Sequence, residues 1–191
     1  MVQKKREELL YEVVKGKVSR DALIDALRQS WVKIQSVRST LKDVPAAEQI
    51  HMLQALLGVD CDLEPSYTEA LLHLPPKINP YTREVLNQLK MKKGLISNTG
   101  RTPGTIIRRS LSHFKIIESF DVTVFSNEVG FLKPHPRIFH RASHALGVPL
   151  SDILHVGDDA AADIEGAHKA GMHAVLVKEP SDLIKVLEVI Q

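Results

Sequence analysis

Between residues 94 and 177 the chain alternates four short apolar runs with helical patterns, and this alternation limits the fold more than any other feature. The runs are Leu95-Ile96, Val122-Thr123-Val124-Phe125, Ile153 to Val156 and Ala174 to Val177. They are too short for buried helices and rich in β-branched residues, so they read as strands. Between them the apolar spacing switches to three and four. Ile106, Ile107 and Leu111 follow Thr102-Pro103. Ile138, Phe139, Ala142 and Leu146 follow Pro136 and stop at Gly147. A further helix runs from about Ala160 to Gly171, and a last one from Leu183 to Ile190. Strand and helix in alternation predict parallel βαβ units with right-handed crossovers and helices on both faces.

The part before Pro75-Pro76 reads as helices only. Leu9, Leu10, Val13 and Val14 make a short apolar face that ends near Gly16. Ser19 is placed to cap a longer helix whose face is Leu23, Ile24, Leu27, Trp31 and Ile34. Pro45 suits the first turn of a third helix with Ile50, Leu53, Leu56 and Leu57 inside, closed by Gly58. Ser66-Tyr67-Thr68-Glu69 has capping-box spacing for a fourth. After the prolines, Asn79-Pro80 opens a helix with Val85, Leu86 and Leu89 inside, closing near Gly94. The chain of 191 residues therefore divides into an all-helical unit at 1–77 and an α/β core at 78–191.

Composition narrows the function classes. Hydrophobic residues are 43% and charged residues 25%, with a net charge of +2. That is an ordinary globular balance. Basic clusters such as Lys4-Lys5-Arg6 are short and aromatic residues few, so no nucleic-acid groove is expected. No apolar run approaches the ~18 residues of a membrane span. Cys61 is the single cysteine, which excludes an intrachain disulfide and fits a reducing, cytoplasmic setting. His140 and His144 have the spacing of a zinc pair, but Arg141 lies where a metalloprotease motif has Glu, and a helix surface is the simpler account.

In open α/β sheets ligands bind at the carboxyl ends of strands. The segment after each of the first three strands carries chemistry. After Leu95-Ile96 comes Ser97-Asn98-Thr99-Gly100-Arg101. After Val122–Phe125 comes a loop that reaches Lys133-Pro134. After Ile153–Val156 comes Gly157-Asp158-Asp159, then Asp163. Ser97, Asn98 and nearby backbone N–H groups suit phosphate oxygens. Lys133 suits neutralisation of phosphate charge. Asp158, with Asp159 or Asp163, suits Mg²⁺. Taken singly each has a plainer reading: Ser97 as a turn residue, Lys133 as a solvated side chain, the aspartates as charge at a helix N-terminus.

Together, GLISNTGR, VGFLKPHPRIF and ILHVGDDAAADIEGAHKAGM resemble motifs II, III and IV of the haloacid dehalogenase (HAD) superfamily, in order and in spacing. The resemblance covers nearly the whole chain and implies a Rossmann-like three-layer core with an all-helical cap. It implies a Mg²⁺-dependent phosphatase acting on a small phosphorylated metabolite through an aspartyl-phosphate. Ser97, Asn98 and Lys133 would hold phosphate, and Asp158, Asp159 and Asp163 the metal. His135 stands where this family commonly has Asp.

The family's motif I, D-x-D-x-[T/V], supplies the nucleophile from a central strand before the cap, and no such strand is read here. The chain is expected to begin inside the cap, as an N-terminally truncated form inactive on its own. The one D-x-D, Asp60-Cys61-Asp62, runs into Leu63-Glu64 and comes after an amphipathic helix. It reads as a cap loop, with a displaced motif I as the alternative. Two other functions stay open: a haloacid dehalogenase, which the acidic cluster disfavours, and a non-catalytic binding protein on the same fold. Without the central strand, those ending at Ser97 and Val156 should be separated by a gap or collapse together. Trp31 and its apolar neighbours read as cap packing, with pocket lining as the alternative.

Overall fold

The computed structural model describes residues 1–190. Five helices come first: α1 (Val2–Val14), α2 (Arg20–Arg38), α3 (Ala46–Leu57), α4 (Glu64–Thr68) and α5 (Ala70–His73). Then α6 (Thr82–Gln88) leads into β1 (Gly94–Ser97), α7 (Gly104–His113), β2 (Val122–Phe125), α8 (Ser126–Val129) and α9 (Pro136–Leu146). The chain continues through β3 (Leu154–Gly157), a π-helical stretch (Ala160–Glu165), α10 (Gly166–Ala170), β4 (His173–Leu176) and α11 (Asp182–Val189). The α/β architecture with parallel strands is as the alternation predicts.

Local chemistry sets most boundaries. The Ser19 hydroxyl accepts from Ala22 N and starts α2. Gly58, at φ 64°, closes α3 in the left-handed region that glycine enters without a Cβ penalty. Three expectations are corrected. Ser66 lies inside α4, because the Asp62 carboxylate accepts from Glu64 N and Pro65 presets the first turn, so the helix begins earlier. The helix after Asn79-Pro80 closes at Leu89, five residues before Gly94. The short α8 was not expected at all; Gly130, at φ 79°, ends it.

The apolar residues collect into two clusters. One joins Leu10, Val14, Leu23, Leu27, Leu53 and Tyr67 of the helical stretch. Cys61 packs on it, so Asp60-Cys61-Asp62 is a loop of the helical stretch rather than a strand end. The other joins Val124, Ile138, Phe139, Ala142, Ala167 and Met172. Residues 1–77 contribute no strand. Their one β-contact is an isolated antiparallel bridge between Lys42 and Phe131.

The strands form two separate parallel pairs, β1 with β2 and β3 with β4. Among the described residues no ladder joins β1 to β3. A cavity of about 1050 Å³ opens between them, lined by Leu95, Ile96, Leu154, Val156, Val175 and Leu183 among others. The gap outcome, not the collapsed one, is what the structure shows.

The helical stretch is latched to the core through Asp43, whose side chain is buried. One carboxylate oxygen accepts from Thr99 Oγ1 at 3.0 Å and Ser126 Oγ at 2.5 Å. The other accepts from Val44 N at 2.9 Å and pairs with Arg38. Main-chain bonds flank it, from Asp43 N to Gly130 O at 3.0 Å and from Leu132 N to Leu41 O at 2.9 Å. Removing the carboxylate strands a guanidinium and two hydroxyls. Asp43→Ala is therefore expected to lower stability by about 3 kcal/mol, read from urea unfolding. A loss under about 0.5 kcal/mol, the size of an ordinary surface substitution, would show that the latch carries little.

Candidate active site

The site is built where the ends of β1, β2 and β3 meet. Lys133 lies just beyond the turn at Gly130, and its backbone is gripped on both sides by one side chain. Asn98 Oδ1 accepts from Lys133 N at 2.7 Å, and Asn98 Nδ2 donates to Lys133 O at 3.0 Å. Both polar atoms of the Asn98 amide are thus engaged in holding the loop. The Lys133 ammonium then reaches back across the strand ends. It donates to Ile96 O at 3.3 Å and pairs with Asp163 Oδ1 at 2.5 Å. Ser97 is the next residue after Ile96, at the end of β1.

Asp163 is buried in the π-helical stretch after β3. Besides Lys133, its Oδ1 lies 2.8 Å from His155 Nε2, and its Oδ2 accepts from Asp159 N at 3.1 Å. Gly157 lets the carboxylate in: a Cβ there would sit 2.2 Å from Asp163 Cγ. Burial alone would raise the Asp163 pKa. Hydrogen bonds from His155 and Lys133, the Lys133 charge and the Asp159 N–H outweigh it and hold Asp163 well below the usual carboxylate range. His155 is itself buried, edge-on to Phe139 with ring centroids 5.3 Å apart.

The remaining acidic residues are placed differently. Asp159 Oδ1 accepts from Ala161 N and Ala162 N and so caps the π-helical stretch. Asp158 is exposed at the carboxyl end of β3. Among the described residues no group of three or more His, Cys, Asp or Glu side chains is arranged to hold a metal ion. Of the sequence-predicted residues, the fold brings Asn98, Lys133 and Asp163 into direct contact, sets Ser97 beside them and leaves Asp158 facing solvent. His135 takes a cap role: its Nδ1 accepts from Arg137 N at 3.2 Å and starts α9. Burial and the Arg137 charge push its pKa down.

Sequence reasoning missed His155 and Asp43. His155 left a signal, since a lone polar residue inside an apolar strand needs a partner. Asp43 left none. It lies 56 residues from Thr99 in sequence and 83 from Ser126.

A family model described as haloacid dehalogenase-like hydrolase matches residues 7–171. The chain belongs to that family. This HAD-like hydrolase is 41% identical over 103 residues to a glyceraldehyde 3-phosphate phosphatase of Methanothermobacter thermautotrophicus, a match covering 51% of this chain and 43% of that protein. The chain spans less than half the length of the first curated relatives it matches. Its fold resembles a HAD phosphatase from Thermococcus onnurineus at TM-score 0.67 and 22% identity, covering 97% of this chain and 89% of that one. It equally resembles a 2-haloacid dehalogenase from Pseudomonas syringae pv. Tomato DC3000 at TM-score 0.68 and 22% identity, covering 100% and 92%. At that identity the two structures establish the fold alone. Among the described residues no helix is long and apolar enough to cross a membrane.

The site makes stability depend on acid. A carboxylate with a depressed pKa contributes fully above its unfolded value, about 4, and the contribution fades as pH falls toward its folded value. Asp163→Ala leaves the Lys133 ammonium buried without its counter-charge, at a cost of about 3 kcal/mol near pH 7. That cost should shrink steadily between pH 4 and pH 2. Urea midpoints of both proteins across this range test it, and a pH-independent difference would contradict the assignment.

Proposed function

We propose that this HAD-like hydrolase is part of a Mg²⁺-dependent phosphatase acting on a small phosphorylated metabolite. The observation that carries the reading is the Lys133 ammonium, held at the strand ends by Asn98 and Asp163 beside Ser97. Phosphoryl transfer needs positioning and charge neutralisation above all. In this reading residues 1–77 are the cap and 78–191 the core.

The residues present fit a metal in part. Asp158 offers a free carboxylate, while Asp163 is committed to Lys133 and His155 and Asp159 to a helix cap. Asp158 would be the direct ligand and Asp163 the support behind it, consistent with an ion that takes few protein carboxylates and keeps water and phosphate oxygens. When bound, Mg²⁺ supplies charge neutralisation to the transferring phosphoryl group. Ser97 Oγ and the backbone N–H groups after β1 hold the phosphate oxygens, and Lys133 offsets their charge. The nucleophile is an aspartate on a D-x-D-x-[T/V] strand outside residues 1–191, seated in the cavity between β1 and β3. It attacks phosphorus to form an aspartyl-phosphate, and the second aspartate of that strand protonates the leaving group.

The test compares residues 1–191 with a version extended upstream through such a strand, on an aryl phosphate with Mg²⁺. The short chain should lack turnover, since loss of a nucleophile costs roughly 10⁶-fold elsewhere, and the long form should be active. Turnover by the short chain that vanishes on Asp60→Asn would restore Asp60-Cys61-Asp62 as the nucleophile motif. Chloride release from a 2-haloacid without metal would favour the dehalogenase, and activity in neither assay the binding protein.

A further inference from the structure

A second polar site lies away from Lys133, where α1 and α2 meet the loop after β1. Arg6 and Arg101 come together there with Trp31. Arg6 is buried; it donates to Tyr67 O at 2.6 Å, Gln3 Oε1 at 2.9 Å and Thr102 Oγ1 at 3.1 Å. Arg101 donates to the same Gln3 Oε1 at 2.6 Å and to Leu27 O at 3.1 Å. Its guanidinium carbon stands 4.5 Å from the centre of the Trp31 ring. Every one of these partners is neutral. Among the described residues neither arginine has a carboxylate within ion-pair distance, although Glu7 lines the same pocket.

This arrangement is electrostatically incomplete. Buried charges are normally paired, yet two guanidiniums here share one amide oxygen. Burial and the Arg101 charge together push the Arg6 pKa down to about 10. The Arg101 Nε is buried and has no hydrogen-bond partner. A guanidinium carries five N–H donors in a fixed fork, and Arg101 uses only its two terminal nitrogens. The pocket beside these groups has a volume of about 520 Å³, lined by Arg6, Arg101, Arg28, Trp31, Ile24 and Glu7 among others. That is the size of a small-metabolite site.

We infer that Arg101, backed by Arg6 and stacked on Trp31, binds the carboxylate of a small organic acid. Trp31 occupies a face of the guanidinium and the Nε is buried, so the ligand meets the two terminal nitrogens, where a planar carboxylate takes two parallel N–H bonds. The incoming charge neutralises the arginine pair, which Glu7 offsets only from beyond ion-pair distance. Arg101 is also three residues from Asn98, hence within about 11 Å of it along the backbone. In the phosphatase reading, on which this last step rests, the carboxylate is the second anionic group of the phosphorylated substrate. The pocket then selects phosphorylated acids over phosphorylated alcohols.

Trp31 is the single tryptophan of the chain, and its emission reports on the pocket directly. Three probes separate the claims at constant ionic strength: malonate, glycerol 3-phosphate and 3-phosphoglycerate. Malonate should change Trp31 emission saturably, and Arg101→Gln should weaken that binding by about tenfold or more, the loss of a charge-assisted pair. 3-Phosphoglycerate should bind about tenfold more tightly than glycerol 3-phosphate, and Arg101→Gln should erase that preference. Equal affinity for malonate and 3-phosphoglycerate, with no response to glycerol 3-phosphate, would sink the phosphatase reading and leave the carboxylate site standing. No saturable response to malonate, or a response that survives Arg101→Gln, overturns the inference. Should Arg101→Gln lose its circular dichroism, Arg101→Lys serves instead. It keeps the charge but not the fork, so undiminished malonate affinity would equally overturn it.

Discussion

The contact on which the core depends is the buried pair of Lys133 and Asp163. Lys133 belongs to the half of the sheet made by β1 and β2, and Asp163 to the half made by β3 and β4. No backbone ladder joins these halves among the described residues. One ammonium bridges them, bonded to Ile96 O at the end of β1 and to Asp163 beyond β3. A buried ion pair yields little net stability against an apolar alternative, but breaking one is costly. Its worth here is geometric. It fixes the spacing of two strand ends whose separation the apolar cavity leaves otherwise open, while α9 and its neighbours pack the layer outside.

The pair is held in place by groups that do no chemistry themselves. Asn98 grips the Lys133 backbone at both its N–H and C=O, so the loop cannot slide without breaking two bonds. His155 and the Asp159 N–H fix Asp163 from the other side. Gly157 supplies the space, since any side chain there would collide with the carboxylate. The result is an ammonium at the carboxyl edge of the strands, where a parallel α/β sheet presents its loops to ligand.

Features were legible in the sequence to the extent that their signals were local. The four strands and most helices were readable because apolar periodicity, Ser19, Gly58, Gly147 and Gly171 act over a few residues. Lys133 and Asp163 were readable as candidates because each comes after a strand. The contacts that join distant segments were not readable. Asp43 looked like an ordinary loop residue between two helices, and only tertiary packing brings it to Thr99 and Ser126. Asn98 was read as a phosphate-binding residue, and its grip on a backbone 35 residues away left no local signal. The early start of the fourth helix and the π-helical stretch turned on individual side-chain caps, accepted by Asp62 and Asp159, which periodicity does not register.

The loop after β1 ties the site to the helical stretch. Its five residues each take a different partner. Asn98 holds Lys133, Thr99 meets Asp43 and Ser126, and Gly100 O accepts from Gln49. Arg101 reaches Gln3 and Leu27, and the Thr102 hydroxyl accepts from Arg6. Four of these five residues contact positions before 77, and the fifth holds the lysine that carries the ammonium. A displacement of the helical stretch therefore pulls on the same short segment that anchors Lys133. Packed, hydrogen-bonded segments transmit such shifts because they have few intermediate arrangements. The pocket at Arg101 and the strand edge at Lys133 are thus joined through a chain of bonds no longer than the loop itself.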